Sequence, residues 1–246
     1  MNSSALHIEQ LVAGYADRRV INRLSLTIER GQWLAVVGAN GSGKSTLLDC
    51  VSGRHRFDSG DISIDGQPLL GDGIAAKSRL GYAVAADALP AVLTGNQCLS
   101  IHAQAKQLQG VDDDRVGQEM RQLAIDLRLQ PRLDEPVSLY SYGTRQKLGV
   151  LMALLGEPAL IVLDESFNGL DPASGLILKK YLRARVDAGR CAILLATQSL
   201  DIVERYCDRA VLLDEGVLVG DWDRAALNAL RDGEGLEAEM ACIPAR

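Results

Sequence analysis

The sequence predicts an α/β fold with a mostly parallel sheet, an N-terminal antiparallel β subdomain and an inserted α-helical subdomain. Three observations carry this. Short, wholly apolar runs, Leu34-Ala35-Val36-Val37, Leu160-Ile161-Val162-Leu163 and Ala192-Ile193-Leu194-Leu195-Ala196, fit strands buried on both faces. Helical stretches separate these runs, the alternation that produces parallel strands covered by helices. Two regions depart from that alternation. The first 30 residues mix β-branched with polar residues, and residues 90–140 repeat Leu, Gln, Arg and Asp at three- and four-residue spacing.

Residues 6–13 and 20–29 read as two strands, joined through Gly14 and Asp17-Arg18-Arg19. The run at 34–37 follows as a buried strand, then a glycine-rich loop, then helical spacing from Lys44 to Val51. Residues 61–65 with Gly66 read as a strand and turn. Leu123 and Leu127, among polar neighbours, mark amphipathic helices in the insertion. After the buried strands at 160–163 and 192–196, Val211-Leu212-Leu213 and Val217-Leu218-Val219 flank Asp214-Glu215-Gly216 as a hairpin. The final stretch, 232–246, has few large apolar residues and predicts a partly unstructured tail. The expected division is a core of 1–85 and 140–225, an inserted helical subdomain at 86–139, and a tail at 226–246.

Composition narrows the function. Hydrophobic residues make up 47% and charged residues 24% of the 246, a globular balance. A net charge of −6 without a long basic run argues against nucleic acid held by bulk charge. Few aromatic residues remain for stacking on single strands. Cys50, Cys98, Cys191, Cys207 and Cys242 are odd in number and scattered, with no CxxC pair, so neither a disulfide framework nor a zinc site is expected. The first ten residues lack a signal-peptide pattern, and Gly156-Glu157-Pro158 breaks the longest apolar stretch. A soluble protein of a reducing compartment is the expectation.

Gly38-Ala39-Asn40-Gly41-Ser42-Gly43-Lys44-Ser45 matches GxxxxGK[ST] in full. Its glycines let backbone N–H groups converge on phosphate oxygens, where side chains would block them. Lys44 supplies a point charge for β- and γ-phosphates, Ser45 a hydroxyl for Mg²⁺, and the helix entered through Thr46 its positive end. With a strand before it and a helix after it, this is the phosphate loop of a P-loop NTPase core. The strand at 160–163 ends in Asp164-Glu165, at the edge where open α/β sheets bind ligands. Asp164 suits the water shell of a metal, and Glu165 suits polarisation of an attacking water.

These residues, with those between and after them, resemble the nucleotide-binding subunit of ATP-binding-cassette (ABC) transporters over nearly the whole chain. Residues 140–147, Tyr-Ser-Tyr-Gly-Thr-Arg-Gln-Lys, are similar to the family signature, and Asn168-Gly169-Leu170-Asp171-Pro172 to its D-loop. Leu80-Gly81-Tyr82 resembles the opening of the Q-loop segment, with Leu93-Thr94 beyond it, and Gly14-Tyr15 resembles the site of an adenine-stacking aromatic. The resemblance implies ATP and Mg²⁺ as ligands, with Tyr15, the loop 38–46 and Asp171 binding nucleotide, and Ser45 and Asp164 at the metal. It further implies two cassettes closing head to tail, so that Ser141 and the N–H of Gly143 cap a γ-phosphate on the partner chain. On that geometry Ser141 and Gly143 have no task within their own chain. Glu165 and Gln198 are the expected catalytic residues. Two departures bear on mechanism: Ala85 stands at the Q-loop glutamine position, with Asp87 two residues on, and Gln198 stands at the switch histidine position. A glutamine amide donates a hydrogen bond but exchanges no proton. Tyr142 and Thr144, at signature positions usually Gly and Gln, and Ser166, where Pro is common, are departures of little consequence.

The leading expectation is an ATPase subunit that energises a membrane transporter, with an exporter-type resemblance. It would sit in the cytoplasm on the inner face of the membrane, docked through 86–139 on transmembrane permease subunits of separate chains. It would act as a homodimer or with a sibling cassette, and without nucleic acid. The alternatives are a hydrolysis-deficient regulatory subunit paired with an active sibling, which Ala85 and Gln198 favour, and a non-transport cassette ATPase. The absence of a second cassette and of a sustained heptad run weighs against the latter. His7 and His55 read as surface or strand residues, His102 as a helix-surface residue, and Asp112-Asp113-Asp114 as a solvated helix start.

Overall fold

The protein is described from a computed structural model over residues 4–16, 18–71, 73–106, 114–231, 233 and 235–242. Asp17 of the expected turn, and Asp112 and Asp113, lie outside the described residues. The elements run β1 (Ser4–Tyr15), β2 (Arg18–Glu29), β3 (Trp33–Val37), α1 (Lys44–Val51), β4 (Ser59–Ile64), β5 (Gln67–Pro68), α2 (Ile74–Ser78) and β6 (Leu80–Tyr82). Next come α3 (Gly95–Ala105), α4 (Asp114–Asp126), α5 (Tyr142–Leu154), β7 (Leu160–Asp164), α6 (Pro172–Asp187), β8 (Ala192–Ala196) and α7 (Leu200–Tyr206). The chain closes with β9 (Arg209–Asp214), β10 (Val217–Asp223), α8 (Arg224–Arg231) and α9 (Gly235–Ala241).

Two sheets form, as the α/β reading requires. One has the order β2-β1-β4-β5 and is antiparallel throughout; the other has the order β10-β9-β3-β8-β7-β6. In the second sheet β9-β3-β8-β7-β6 are parallel neighbours, and only the β9–β10 hairpin is antiparallel. The apolar runs are wholly buried because each feeds two cores alternately. Trp33, Ala35, Val37, Ile161, Leu163, Ile193 and Leu195 enter one core, with α5, α6 and the insertion. Leu34, Val36, Leu160, Val162, Leu194 and Ala196 enter the other, with α1 and the antiparallel sheet. A strand with no polar face is stable only between two covered layers, which explains the runs.

Between β6 and α5 the chain leaves the sheet to form α3 and α4. Thr94 caps α3 with a reciprocal box: its Oγ1 accepts from the Gln97 N–H (3.2 Å), and Gln97 Oε1 accepts from the Thr94 N–H (2.9 Å). Met120, Leu123, Ala124 and Leu127 are buried in the core that α5 shares, and the spacing anticipated Leu123 and Leu127. Ion pairs tie this insertion to the core: Glu119 of α4 meets Arg190 (3.1 Å) and the buried Arg185 (3.6 Å).

Part of the C-terminal stretch is helical, and residues 232, 234 and 243–246 of the expected tail lie outside the described residues. Residues 235–241 form α9, with Leu236 fully buried and its N–H donating to Glu204 Oε1 of α7 (2.8 Å). One leucine on a core-facing side, plus a carboxylate acceptor for the first turn, holds a helix that composition alone underrated. Cys50, Cys98, Cys191 and Cys207 are buried and free, and Cys242 is free and exposed.

Candidate functional site

Parallel pairing puts the carboxyl ends of β3, β8 and β7 on one edge, with Val36 opposite Ala196 and Ala196 opposite Asp164. Loops leaving that edge build the site. At the end of β3, Gly38 has φ +152°, and a Cβ there would lie 2.3 Å from the Leu213 carbonyl oxygen; only glycine passes under the β9 strand end. The β9–β10 turn braces the same loop, the Gly216 N–H donating to the Ser42 carbonyl (3.0 Å). The chain then enters α1, whose first N–H groups face the cleft.

Lys44 is buried, with Nζ donating to the Gly38 (2.7 Å) and Ala39 (2.8 Å) carbonyls. Burial lowers the Lys44 pKa, against the opposing pull of Glu165 and Asp164. Burial likewise raises the Asp164 and Glu165 carboxyls above their ordinary values; a hydrogen bond from Ser45 opposes this at Asp164, and one from Thr197 at Glu165. Glu165 is held in detail. Its φ is +45°, an unfavourable conformation for a side-chain-bearing residue, and its N–H donates to the Ala196 carbonyl (3.0 Å). Oε2 accepts from Asn168 Nδ2 (3.1 Å) and Thr197 Oγ1 (3.4 Å), while Oε1 is buried without a partner. A buried carboxylate oxygen without a protein partner beside the glycine-rich loop is chemically able to accept a proton.

Tyr15, Arg18, Val20, Asn40, Gly41, Gly43, Lys44, Ser45, Thr46, Asp164, Glu165 and Gln198 surround one cleft of about 460 Å³. Gln198 is exposed, its Nε2 donating to Asn40 Oδ1 of the phosphate loop (2.9 Å). Tyr15 is 52% exposed at the end of β1, a ring with area to give to a flat ligand. Ser45 and Asp164 are hydrogen-bonded oxygen donors, the hard set that suits Mg²⁺. Among the described residues no group of three or more His, Cys, Asp or Glu stands together.

Of the expected site residues, Gly38, Ala39 and Ser42 belong to the loop without lining this cleft, Ala39 and Ser42 facing a neighbouring pocket, and Ser141, Gly143 and Asp171 lie on other elements. Ser141 caps α5, its Oγ accepting from the Thr144 N–H (3.2 Å). Gly143 lies against the Gly169 carbonyl, which a Cβ would meet at 2.4 Å. Asp171 caps α6 through the Ser174 N–H (2.9 Å) and pairs with Lys147 (2.9 Å), and these partners hold its carboxyl well below the usual range. The expectation that Ser141 and Gly143 have no intrachain task is therefore corrected: one caps a helix and the other admits the 168–171 loop. Ala85 is exposed at the start of a 3₁₀ turn, and Asp87 pairs with Arg145 (3.7 Å), so neither joins the cleft.

The histidines also need correction. His7 is a surface residue bonded to Thr27 (3.1 Å), as anticipated. His55 is on neither a strand nor an open surface but stacks behind Tyr15. His102 is half-buried with Nε2 unpartnered, and burial pushes its pKa down to about 4. Its folded value lies below the unfolded 6.5, so unfolding takes up a proton between those values. Stability is expected to fall as pH drops from about 6.5 to 4, and His102→Leu to flatten that slope in chemical denaturation.

Sequence reading missed Thr197 and Asn168 as the groups that hold Glu165, and Arg18 and Val20 as cleft walls. Asn168 stood inside a quoted motif, but nothing local showed which way its amide points.

Residues 21–168 match the family described as ABC transporter. The chain is 30% identical over 235 residues to the ABC-type transporter ATP-binding protein EcsA of Bacillus subtilis (strain 168), covering 95% of this chain and 92% of that protein. It is 31% identical over 214 residues to the phospholipid-transporting ATPase ABCA3 of Homo sapiens, covering 86% of this chain and 12% of that protein. The chain thus spans only a small part of that relative's length. A solved structure described as the ATP-binding subunit of an ABC transporter superposes with a TM-score of 0.84 at 28% identity, covering 96% of this chain and 98% of that one.

Proposed function

The chain belongs to the ATP-binding subunits of the ABC transporter family, and from that premise we propose that it hydrolyses ATP with Mg²⁺ to energise a membrane exporter. The observation that carries this is the convergence of Lys44, Ser45, Asp164 and Glu165 on one cleft, with Oε1 of Glu165 unsatisfied. Lys44 and the loop N–H groups bind the β- and γ-phosphates, and Tyr15 takes the base. Ser45 and Asp164 would hold the Mg²⁺ ion, which when bound offsets phosphate charge. Glu165 accepts the proton of the attacking water.

Two cassettes close on nucleotide in this reading, as a homodimer or with a sibling chain. Ser141 is exposed, and its Oγ accepts from the Thr144 N–H and shares a hydroxyl hydrogen bond with Thr144 Oγ1 (2.8 Å); with Thr144 as donor there, the Ser141 proton is left for a partner's phosphate. Among the described residues no helix is long and apolar enough to cross a membrane. In this reading transmembrane permease subunits on separate chains receive the protein at the inner face of the membrane. The insertion supports that role with exposed Val92, Ile101, Ile125 and Leu139. Nucleic acid has no part in this reading. Co-purification with a polytopic membrane protein supports it, and a chain that recovers only ribosomes or nucleic acid from its host overturns it.

A regulatory, weakly hydrolysing subunit is the second reading, favoured by Gln198 and Ala85. Gln198 reaches the phosphate loop but carries no exchangeable proton. Gln198→His is expected to raise kcat with little change in KM, the pattern of an interaction made mainly in the transition state. The gain should fall short of the ~10²–10⁴-fold typical of a general acid or base, since Glu165 keeps the base role. An unchanged kcat, with Ala85→Gln raising it instead, places the defect in metal and water positioning. Steady-state ATPase assays of the two variants decide between them.

A further inference from the structure

We propose that His55 is a positioning residue for nucleotide, its imidazole backing Tyr15 and fixing the plane on which the base stacks. The inference rests on the reading of the cleft as a nucleotide site. Tyr15 lines the cleft; His55 does not, and its ring lies against Tyr15 with centroids 4.4 Å apart and planes inclined by 36°. His55 Nε2 is 2.9 Å from the Gly14 carbonyl oxygen. A carbonyl only accepts, so Nε2 carries the proton and donates. One side chain thus grips both the backbone just before Tyr15 and the Tyr15 ring.

His55 is itself anchored. The N–H groups of Arg54 and His55 both donate to the Asp49 carbonyl of α1, at 2.9 and 3.1 Å. Arg54 turns elsewhere, its guanidinium 4.1 Å above the Tyr82 ring and paired with Asp49. Helix α1 therefore presents its first turn to the phosphates and, from its last turn, holds the base platform. Its eight residues span about 12 Å. An exposed tyrosine with no backing would lose rotamer freedom on binding and weaken the net stacking. Preorganisation by His55 removes that cost. Stacking reads the face of a base and not its edge, so the effect extends to any purine nucleotide and vanishes for a ligand without a base.

Calorimetric titration of the full chain with Mg·ATP, Mg·GTP and Mg·tripolyphosphate tests this. Stacking losses on alanine substitution predict about 5- to 100-fold weaker nucleotide binding for Tyr15→Ala, and His55→Ala should show about three- to tenfold of it. Tripolyphosphate affinity should not change in either. His55→Gln, which keeps a donor for Gly14 but no ring, should weaken nucleotide binding to an intermediate degree, and it carries the comparison if the alanine variant does not fold. Equal weakening of all three ligands in His55→Ala assigns a general structural role and overturns the proposal. So does unchanged nucleotide affinity in the His55 variants while Tyr15→Ala weakens it; in that case the base platform stands without His55. If Tyr15→Ala itself spares ATP relative to tripolyphosphate, the base platform falls and His55 with it.

Discussion

Lys44→Ala is expected to weaken Mg·ATP binding by about 10²–10⁴-fold while the protein stays folded. Charge-assisted hydrogen bonds contribute about 1.5–3 kcal/mol each, and Lys44 is placed to make one to each of two phosphates. The other phosphate donors of the loop itself are backbone N–H groups, which no side-chain change removes. Nζ is bonded to the Gly38 and Ala39 carbonyls, so the ammonium also ties the loop together. Removing it leaves two carbonyls on the wall of an open cleft, where water replaces the lost donor at little cost in stability. Lys44→Met keeps the stem's packing without the charge and should bind as poorly as the alanine variant. Titration calorimetry beside a thermal melt measures both properties. A folded Lys44→Ala protein that binds with wild-type affinity removes Lys44 from the phosphate site.

Glu165→Gln should lower kcat by about 10²–10⁴-fold, the range for a lost general base, with ATP affinity retained. The substitution is suited to this backbone: glutamine tolerates the +45° φ no worse than glutamate, and its amide oxygen still accepts from Asn168 and Thr197. What it cannot do is take a proton. Burial raises the Glu165 carboxyl, so the wild-type rate should decline with falling pH at a value above that of an ordinary glutamate, as the base becomes protonated. That acidic limb should be missing in Glu165→Gln. Because binding persists while turnover fails, ATP should also hold two cassettes together, a state sedimentation detects. A variant that hydrolyses at the wild-type rate removes Glu165 as the base. One that stays monomeric at saturating ATP, alone and with any sibling subunit, removes the nucleotide-closed dimer.

The parts of the site legible in the chain are those whose chemistry is contiguous. The loop 38–45 declares itself because eight neighbouring residues make one phosphate cradle, and Asp164-Glu165 because a strand end sits next to the run that forms the strand. The two-layer burial of β3, β7 and β8 is legible for the same reason: a strand covered on both faces is apolar along its whole length. The resemblance to a family added Tyr15, Ser141, Gly143, Asp171 and Gln198, but not what those residues touch.

Those contacts belong to the tertiary structure. Ser141 caps α5, although no task within its own chain was expected of it, and Asp171, expected at nucleotide, pairs with Lys147. Thr197 reaches Glu165 across 32 residues, Gln198 reaches Asn40 across 158, and His55 reaches Gly14 across 41. A residue's own neighbours set its preference for strand, helix or turn, so the sequence by itself determined the α/β fold, the phosphate loop and the paired carboxylates. Which groups then share a cleft depends on strand order. The parallel sequence β3-β8-β7 brings three distant loops to one edge and leaves one oxygen of Glu165 without a partner.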